Sequence, residues 1–247
     1  MMIFNRFANF FLPLVALLVV VKVEAVELNF VGIEVAPWAS LDKDTGEYVG
    51  IFADLAYEIE RRTGYEIKVT LSPYARINRE LETNRQDCTI LIVDEEREKI
   101  IKKGEYLFSL PVGVIPKRSV VLGRYKDLYG KNISLLRGAA ISHKFNSDQK
   151  LTKQFDTDYM IILRKLEYDR IDAIAGVIPT IQYLAKQEGL SQILGEPLSL
   201  SSEPVYLQCS KTSSHIQYLP VLNSAIKSIV SDGLIVKIFD KYFQENE

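Results

Sequence analysis

The chain has few residues of the kinds that form metal sites and nucleophilic sites. Its 247 residues include two cysteines, two histidines and one tryptophan. His143 and His215 have no cysteine or histidine partners at the spacing of zinc ligands, so the sequence predicts no metal site. A Gly-x-Ser-x-Gly turn, the setting of many hydrolase serines, is missing as well. We therefore expect no cofactor and no enzymatic activity.

The chain also lacks an excess of charge of either sign. It contains 30 basic and 32 acidic residues, which gives a net charge of −2. Nothing in this balance indicates a nucleic-acid partner or a membrane surface. Hydrophobic residues make up 47% of the chain, which favours a packed core over disorder.

The N-terminal segment 1–25 has the pattern of a secretory signal peptide. Arg6 precedes an apolar run over 10–21, and Val23-Glu24-Ala25 places small residues at positions −3 and −1 of a cleavage site. The alternative is a membrane anchor, but the run is shorter than the ~20 residues that span a bilayer. No cysteine lies near the site for a lipid. We expect cleavage after about Ala25 and a mature protein that is soluble and exported.

The two cysteines, Cys88 and Cys209, both remain in the mature chain. An oxidising compartment allows a disulfide between them, but two cysteines do not dictate one. The sequence therefore leaves a bridge and two buried thiols as alternatives, and we expect two buried thiols.

The segment 31–61 joins a short apolar strand to an amphipathic helix. Pro37-Trp38 and a polar turn over 42–47 separate the two, and the helix begins near Ile51. An aromatic side chain thus follows the carboxyl end of the first strand, where open α/β sheets bind ligands. Further along, Asp87 and Asp172 each precede a continuous apolar run of the kind found in buried parallel strands. This alternation of strands and helices predicts an α/β fold.

The order of these motifs resembles one bacterial family, the extracytoplasmic solute-binding proteins of family 3, which bind polar amino acids. The matching residues are Pro37-Trp38, Gly50, Asp54-Leu55 and an arginine, Arg97, ten residues beyond Asp87. The resemblance covers roughly residues 26–245. It implies a type II periplasmic-binding fold, in which two α/β lobes are joined by two crossover strands and enclose a ligand cleft. The first lobe would comprise 26–112 and 201–247, and the second lobe 113–200.

The resemblance also assigns ligand contacts to the first lobe. Trp38 and Tyr74 match the aromatic walls of the family's site, and ordinary half-buried packing is the alternative. Arg97 matches the arginine that grips a ligand carboxylate, a role that suits the forked guanidinium. Glu34 matches a position near the polar end of the ligand, and Arg76 would be a second cation.

These charged residues also have simpler interpretations. Arg97 would instead form a surface ion pair with Glu95 or Glu96, and Arg76 would lie on a solvated helix surface. Family topology would also place the strands of Cys88 and Cys209 side by side in the first lobe.

In the second lobe, the resemblance points to a strand-to-helix turn formed by Arg137, Gly138, Ala139 and Ala140. Free backbone N–H groups in such a turn favour an anion. A departure from the family occurs at Val177, where the family has an aspartate that binds an α-amino group. We therefore expect a small polar ligand with a carboxylate, and no reliance on an α-amino group.

The function implied is capture of this ligand by hinge closure, followed by delivery to an inner-membrane ABC-type permease. We expect a monomer. One alternative is an exported enzyme of the same fold that resembles the cyclohexadienyl dehydratases, in which Glu34 would act as an acid while Arg97 holds a carboxylate. Another is a protein that serves only as the ligand-sensing partner of a signalling receptor.

Overall fold

The computed structural model describes residues 26–243, so the predicted signal peptide over 1–25 lies outside the described residues. Ten strands form one eight-stranded sheet and one two-stranded hairpin. In chain order the strands are β1 Glu27–Ile33, β2 Ser40–Leu41, β3 Tyr48–Val49, β4 Glu66–Ser72, β5 Cys88–Ile92, β6 Ile101–Pro116, β7 Asn132–Leu136, β8 Thr152–Asp156, β9 Ala173–Val177 and β10 Leu198–Ser210.

Eight α-helices cover the sheet. They are α1 Ile51–Thr63, α2 Tyr74–Glu82, α3 Glu95–Ile100, α4 His143–Ser147, α5 Tyr159–Glu167, α6 Ile178–Gln187, α7 Leu219–Ser231 and α8 Leu234–Phe243. Three short 3₁₀ segments, Tyr125–Leu128, Ser191–Ile193 and Ile216–Tyr218, lie between them. Over residues 26–243, no single helix is long and apolar enough to cross a membrane; α7 and α8 reach that composition only as a pair, with a bend of 69°.

The order of the strands divides the large sheet into two ends. It runs β4-β1-β5-β10-β6-β9-β7-β8, with parallel pairs at both ends and the long antiparallel strands β6 and β10 in the middle. We call the end with β4, β1 and β5 the first lobe, and the end with β9, β7 and β8 the second lobe. This arrangement confirms the predicted α/β class with two crossover strands. The lobe boundaries at residues 112 and 200 stay a prediction.

Helix α1 begins at a glycine because no other residue fits there. Gly50 has φ of +127°, and a Cβ atom on it would lie 2.5 Å from the carbonyl oxygen of Trp38. The helix ends at Gly64, a left-handed residue whose N–H donates to the carbonyl of Glu60. These two glycines fix the helix behind the Pro37-Trp38 turn.

Each lobe contains one of the two aspartate-led strands, and both begin with the same contacts. The Asp87 N–H donates to the Asn29 carbonyl, and the Asn29 N–H donates to the Asp87 carboxylate at 2.8 Å. In the second lobe, Asp172 exchanges the same two hydrogen bonds with Asn132, also with 2.8 Å to the carboxylate. Each aspartate thus joins two neighbouring strands at the end where their parallel pairing begins.

The expectation of two buried thiols is wrong. Cys88 on β5 pairs directly with Cys209 on β10, and the two form a disulfide over a separation of 121 residues. Both residues are 2% exposed. The strands lie side by side as the family topology implies, and the register brings the two Cα atoms within 4.0 Å. The register decided the outcome, because a disulfide needs Cα atoms no more than ~7 Å apart.

The hydrophobic core continues from one lobe to the other. One buried cluster joins Ile77 and Leu81 on α2 of the first lobe to Ile162 and Ile181 of the second lobe. Trp38 lies against this cluster and also against the core of the first lobe. The lobes therefore touch at their inner ends.

Candidate functional site

Three neighbouring cavities lie where the two lobes meet. The largest, which we call the outer cleft, has a volume of about 900 Å³. Two smaller cavities, which we call the inner cavities, have volumes of about 70 and 50 Å³. Five residues line both inner cavities: Ile33, Trp38, Tyr74, Ile92 and Val177. Tyr74 and Ile92 also line the outer cleft, so the three cavities adjoin.

The two walls of the outer cleft differ in charge. The first-lobe wall has four acidic residues, Glu82, Asp94, Glu95 and Glu96, and two arginines, Arg79 and Arg97. The charged or titratable residues of the second-lobe wall are Arg137, His143 and Lys153. Across the cleft, Nε2 of His143 lies 3.9 Å from a carboxylate oxygen of Glu95, and both side chains are more than 80% exposed.

Arg97 is buried in the first-lobe wall, with protein partners for each of its side-chain nitrogens. Its Nε donates to Asn78 at 2.6 Å, and Nη1 donates to the Ile92 carbonyl at 2.6 Å. Nη2 lies 2.9 Å from Oδ2 of Asp94, in a geometry that makes an ion pair but not an aligned hydrogen bond. The Tyr74 ring lies 5.3 Å from the guanidinium. Arg97 therefore forms its ion pair with Asp94, and not with Glu95 or Glu96 as the simpler interpretation of the sequence had it.

Asp94 connects this arrangement to helix α3. Its Oδ1 accepts a hydrogen bond from the Arg97 N–H at 2.7 Å, so it caps the first turn of the helix. The same residue thus fixes both the backbone and the charge of Arg97.

The second-lobe turn over 137–141 offers fewer free amides than the sequence predicts. The N–H groups of Arg137, Ala139 and Ile141 donate to Asp156, Leu136 and Asn146, respectively. Only Gly138 and Ala140 keep N–H groups without an acceptor among the described residues of this turn. The protein uses the other three to close the turn.

The Arg137 side chain is exposed on the outer cleft. No hydrogen bond or ion pair joins it to another residue in the part of the chain that the structure describes. Lys153, on the same wall, instead donates to the carbonyls of Phe145 and Asn146. Arg137 is therefore the cation of this wall that is available to a ligand.

Trp38 joins the two lobes at the inner cavities. Its Nε1 donates to Oγ1 of Thr180 on α6 at 2.8 Å, and Thr180 is 1% exposed. The indole stacks on Phe108 at 6.1 Å and meets the edges of Phe239 and Phe243. The indole ring thus packs against aromatic rings of the first lobe, while its N–H binds the second lobe.

Val177 lies at the end of β9, opposite Trp38 and Tyr74 in the inner cavities. Its neighbour Gly176 is required there, because a Cβ atom on it would overlap the Tyr159 hydroxyl. Burial raises the pKa of Tyr159 above its ordinary value, although a backbone hydrogen bond from Val177 opposes that shift. Tyr159 therefore stays neutral.

Glu34 and Arg76 are placed elsewhere. Both side chains are exposed, and neither residue lines any of the three cavities. The other predicted contacts all line the cavities. Arg97, Arg137 and Gly138 line the outer cleft alone, and Trp38 and Val177 line the inner cavities alone. The residues that line both are Tyr74, Ala139 and Ala140.

Several lining residues were not predicted from the sequence. Asn78 follows Tyr74 by one helical turn, so the i, i+4 spacing was a usable signal. Thr180 lies 142 residues from Trp38, and no local sequence pattern indicates that contact.

Among residues 26–243, no three histidine, cysteine, aspartate or glutamate side chains come together as a metal site.

Two curated relatives resemble the chain over most of its length. The "Probable amino-acid-binding protein YxeM" of Bacillus subtilis (strain 168) is 23% identical over 216 residues, which are 83% of this chain and 79% of that protein. The "Arginine-binding periplasmic protein" of Mannheimia haemolytica is 24% identical over 214 residues, which are 83% and 86% of the two chains.

Solved structures share the fold at lower identity. A histidine kinase sensor domain with similarity to periplasmic binding proteins has a TM-score of 0.77 and 15% identity, over 88% of this chain and 95% of that one. A mutant of ArgBP from T. maritima has a TM-score of 0.75 and 21% identity, over 88% and 95%.

The family model agrees with the architecture and with the cleft. The model described as "Bacterial extracellular solute-binding proteins, family 3" matches residues 30–245, which include both lobes and both crossover strands. The chain therefore belongs to the bacterial extracellular solute-binding proteins of family 3.

Proposed function

We propose that the protein captures a small carboxylate-bearing solute between its lobes outside the cytoplasm and delivers it to an ABC-type permease. The observation that supports this most directly is the outer cleft, which has one wall from each lobe and an available cation, Arg137, on the second. A ligand that contacts both walls stabilises the closed arrangement and not the open one.

In this proposal the ligand contacts Tyr74 on the first lobe and Arg137 to Ala140 on the second. The free N–H groups of Gly138 and Ala140 donate to the carboxylate beside the Arg137 guanidinium. Arg97 acts through Tyr74, since its own nitrogens already have partners in the first lobe. Glu34 and Arg76, which line none of the three cavities, make at most long-range electrostatic contributions.

The relatives suggest the chemical class of the ligand. One is named as a probable amino-acid-binding protein and the other as an arginine-binding protein, and amino acids contain a carboxylate. Because Val177 offers no charge to an α-ammonium group, the proposed ligands extend to acids related to amino acids that lack this group.

The proposed place of action is the periplasm. The family is extracellular, and segment 1–25 has the pattern of a cleaved signal peptide. A monomer that meets a membrane permease fits this location.

A sensing role is the second candidate, and the similarity to a histidine kinase sensor domain favours it. In that case the closed form would contact a signalling receptor instead of a permease, while the cleft and its ligand stay the same.

The test is a thermal-shift screen of the mature chain, from residue 26, against amino acids and organic acids. A ligand that binds the folded state raises the melting temperature with concentration. We expect carboxylates to do so, and Arg137→Ala to weaken the shift at least tenfold in ligand concentration. Arg118→Ala is the matched control, because Arg118 is an exposed arginine that lines none of the cavities. No shift with any carboxylate, or consumption of the ligand, would refute the proposal.

A further inference from the structure

The inner cavities contain no charged side chain. Apolar or aromatic residues form nearly all of their lining, and the only hydroxyl groups belong to Tyr74, Tyr159 and Thr180. The Thr180 hydroxyl already accepts from Trp38. The ligand end that enters these cavities therefore meets almost no free polar group.

A cation is excluded from this space on energetic grounds. An ammonium group that leaves water without a charged partner loses several kcal/mol of solvation. Val177 lies where both inner cavities meet, and its side chain has no oxygen with which to compensate that loss. Tyr159, which lines one inner cavity, stays uncharged because burial raises its pKa.

An apolar group gains free energy in the same space. Apolar cavities of this kind stay dry. A ligand group that fills them gains about 25 cal/mol for each Å² of its apolar surface that is removed from water. Tyr74, Ile92, Ala139, Ala140 and Ile141 line both an inner cavity and the outer cleft, so one molecule can extend from one to the other.

The charged end of such a molecule meets Arg137 at the outer cleft. Arg97 is neutralised by Asp94, and Lys153 is held by two carbonyls. Of these three cations, Arg137 alone makes no hydrogen bond or ion pair within the described residues, and its link to Asp156 is electrostatic only. The opposite wall has Glu82, Glu95 and Glu96 against one exposed arginine, Arg79, so its net negative charge directs a carboxylate towards the second lobe.

We infer that the ligand is an apolar monocarboxylate: an aliphatic or aromatic group fills the inner cavities, its carboxylate pairs with Arg137, and no α-ammonium group is present. The inference rests on the proposed function and narrows its ligand class.

The experiment measures dissociation constants by calorimetry for pairs of acids that differ in one group. Propionate provides the carboxylate alone; 4-methylpentanoate and 3-phenylpropionate add an apolar group; leucine and phenylalanine are the same two acids with an α-ammonium group. We expect 3-phenylpropionate or 4-methylpentanoate to bind at least tenfold more tightly than propionate and than its amino-acid counterpart.

Two substitutions test the position of the apolar group. Val177→Asp places a carboxylate in the inner cavities, and it should weaken binding of the best apolar acid at least tenfold. Val121→Asp is the matched control, because Val121 is 87% exposed and should leave the affinity unchanged. Should Val177→Asp fail to fold, Val177→Thr keeps the shape of valine and should weaken binding severalfold.

The outcomes separate this inference from the proposed function. If glutamate, succinate or phenylalanine binds and 3-phenylpropionate does not, the inference is overturned while the solute-binding proposal survives. An unchanged affinity in folded Val177→Asp also overturns it. If no acid of either kind binds, both fail.

Discussion

The two aspartate-led strands, β5 in the first lobe and β9 in the second, begin alike and end differently. Asp87 and Asp172 exchange the same pair of hydrogen bonds with an asparagine on the neighbouring strand. Each aspartate carbonyl also accepts an N–H from a longer strand or its continuation, Ser210 in one case and Lys117 in the other.

The carboxyl ends of the two strands have opposite chemistry. After β5 come Asp94 and Arg97, a charged pair in the cleft wall. Strand β9 ends in Val177, which lines the inner cavities and precedes the first turn of α6. The start of each strand holds the sheet together, and in our proposal its end contributes to the choice of ligand. A substitution at the start of β5 or β9 should change the free energy of unfolding, and one at the carboxyl end of either strand should change the affinity for the ligand.

The first lobe has one stabilising feature that the second lacks, the disulfide next to Asp87. Ala173 follows Asp172 at the corresponding place. Replacing both cysteines with alanine should lower the free energy of unfolding by about 3 kcal/mol, since the bond closes a loop of more than 100 residues. Urea unfolding of the variant measures this difference. Wild-type protein in reductant should lose a similar amount, and an unchanged urea midpoint in both would contradict the prediction.

The two aspartates themselves should differ in the cost of removal. Asp87 is 7% exposed and also accepts from Ser213 and lies 3.1 Å from Nδ1 of His215. Asp87→Ala leaves these groups unpaired and should cost about 3 kcal/mol, whereas Asp172→Ala should cost about 1 kcal/mol because it removes one exposed hydrogen bond. Equal losses in urea unfolding would show that the two strand starts are not distinguished by burial.

The contact between the lobes offers a weaker perturbation. Thr180→Val removes the acceptor of the Trp38 indole and should favour the open arrangement by about 1 kcal/mol. Trp38 is the single tryptophan of the chain, so its fluorescence should shift to longer wavelength as water reaches it. Thr180→Ser keeps a hydroxyl and is the control. A blue shift, or the same shift in both variants, would argue against the contact.

The last comparison is of ion pairs within two helices, α1 of the first lobe and α5 of the second lobe. Glu58 of the first lobe pairs with Arg61 and Arg62, and 11% of the Glu58 side chain is exposed. In the second lobe Arg164 pairs with Glu167, and the exposed fractions of these two side chains are 47% and 28%. Hydrogen bonds from Arg61, reinforced by Arg62 and opposed by burial, lower the pKa of Glu58 from 4.5 to about 2.

A lowered pKa in the folded state means that the contribution of Glu58 is complete above pH 4.5 and disappears as the pH falls towards 2. Glu58→Gln should therefore cost about 1 kcal/mol at pH 7, and the difference from wild type should vanish between pH 4.5 and 2. Glu167→Gln should cost less at pH 7, because this pair is more exposed. Unfolding curves over this pH range provide the measurement, and a constant difference would be incompatible with the pairing.

Much of the sheet was predictable because its signals are local. Gly50 and Gly64 mark the ends of α1, and Asp87 and Asp172 announce buried strands. Strand β8 escaped prediction: its burial alternates weakly, and Phe155, its largest apolar residue, is 53% exposed.

The site was harder to predict because its contacts join distant segments. The sequence around Arg97 is rich in charge and resembles a surface helix; the burial of Arg97 depends on Asn78 from another helix. The disulfide depended on the register between β5 and β10, which no composition reveals. The acceptor of the Trp38 indole N–H is Thr180 in the other lobe, so this contact depends on the arrangement of the two lobes.

The bond between Cys88 and Cys209 makes the chain a closed covalent ring with two tails. Strands β7, β8 and β9 lie within that ring, while β1 and helices α7 and α8 lie outside it. A protease that cuts once in the second lobe therefore opens the ring without releasing a fragment. The nicked protein would migrate as one full-length species without reductant and as two pieces with it, and both halves of the first lobe would stay attached.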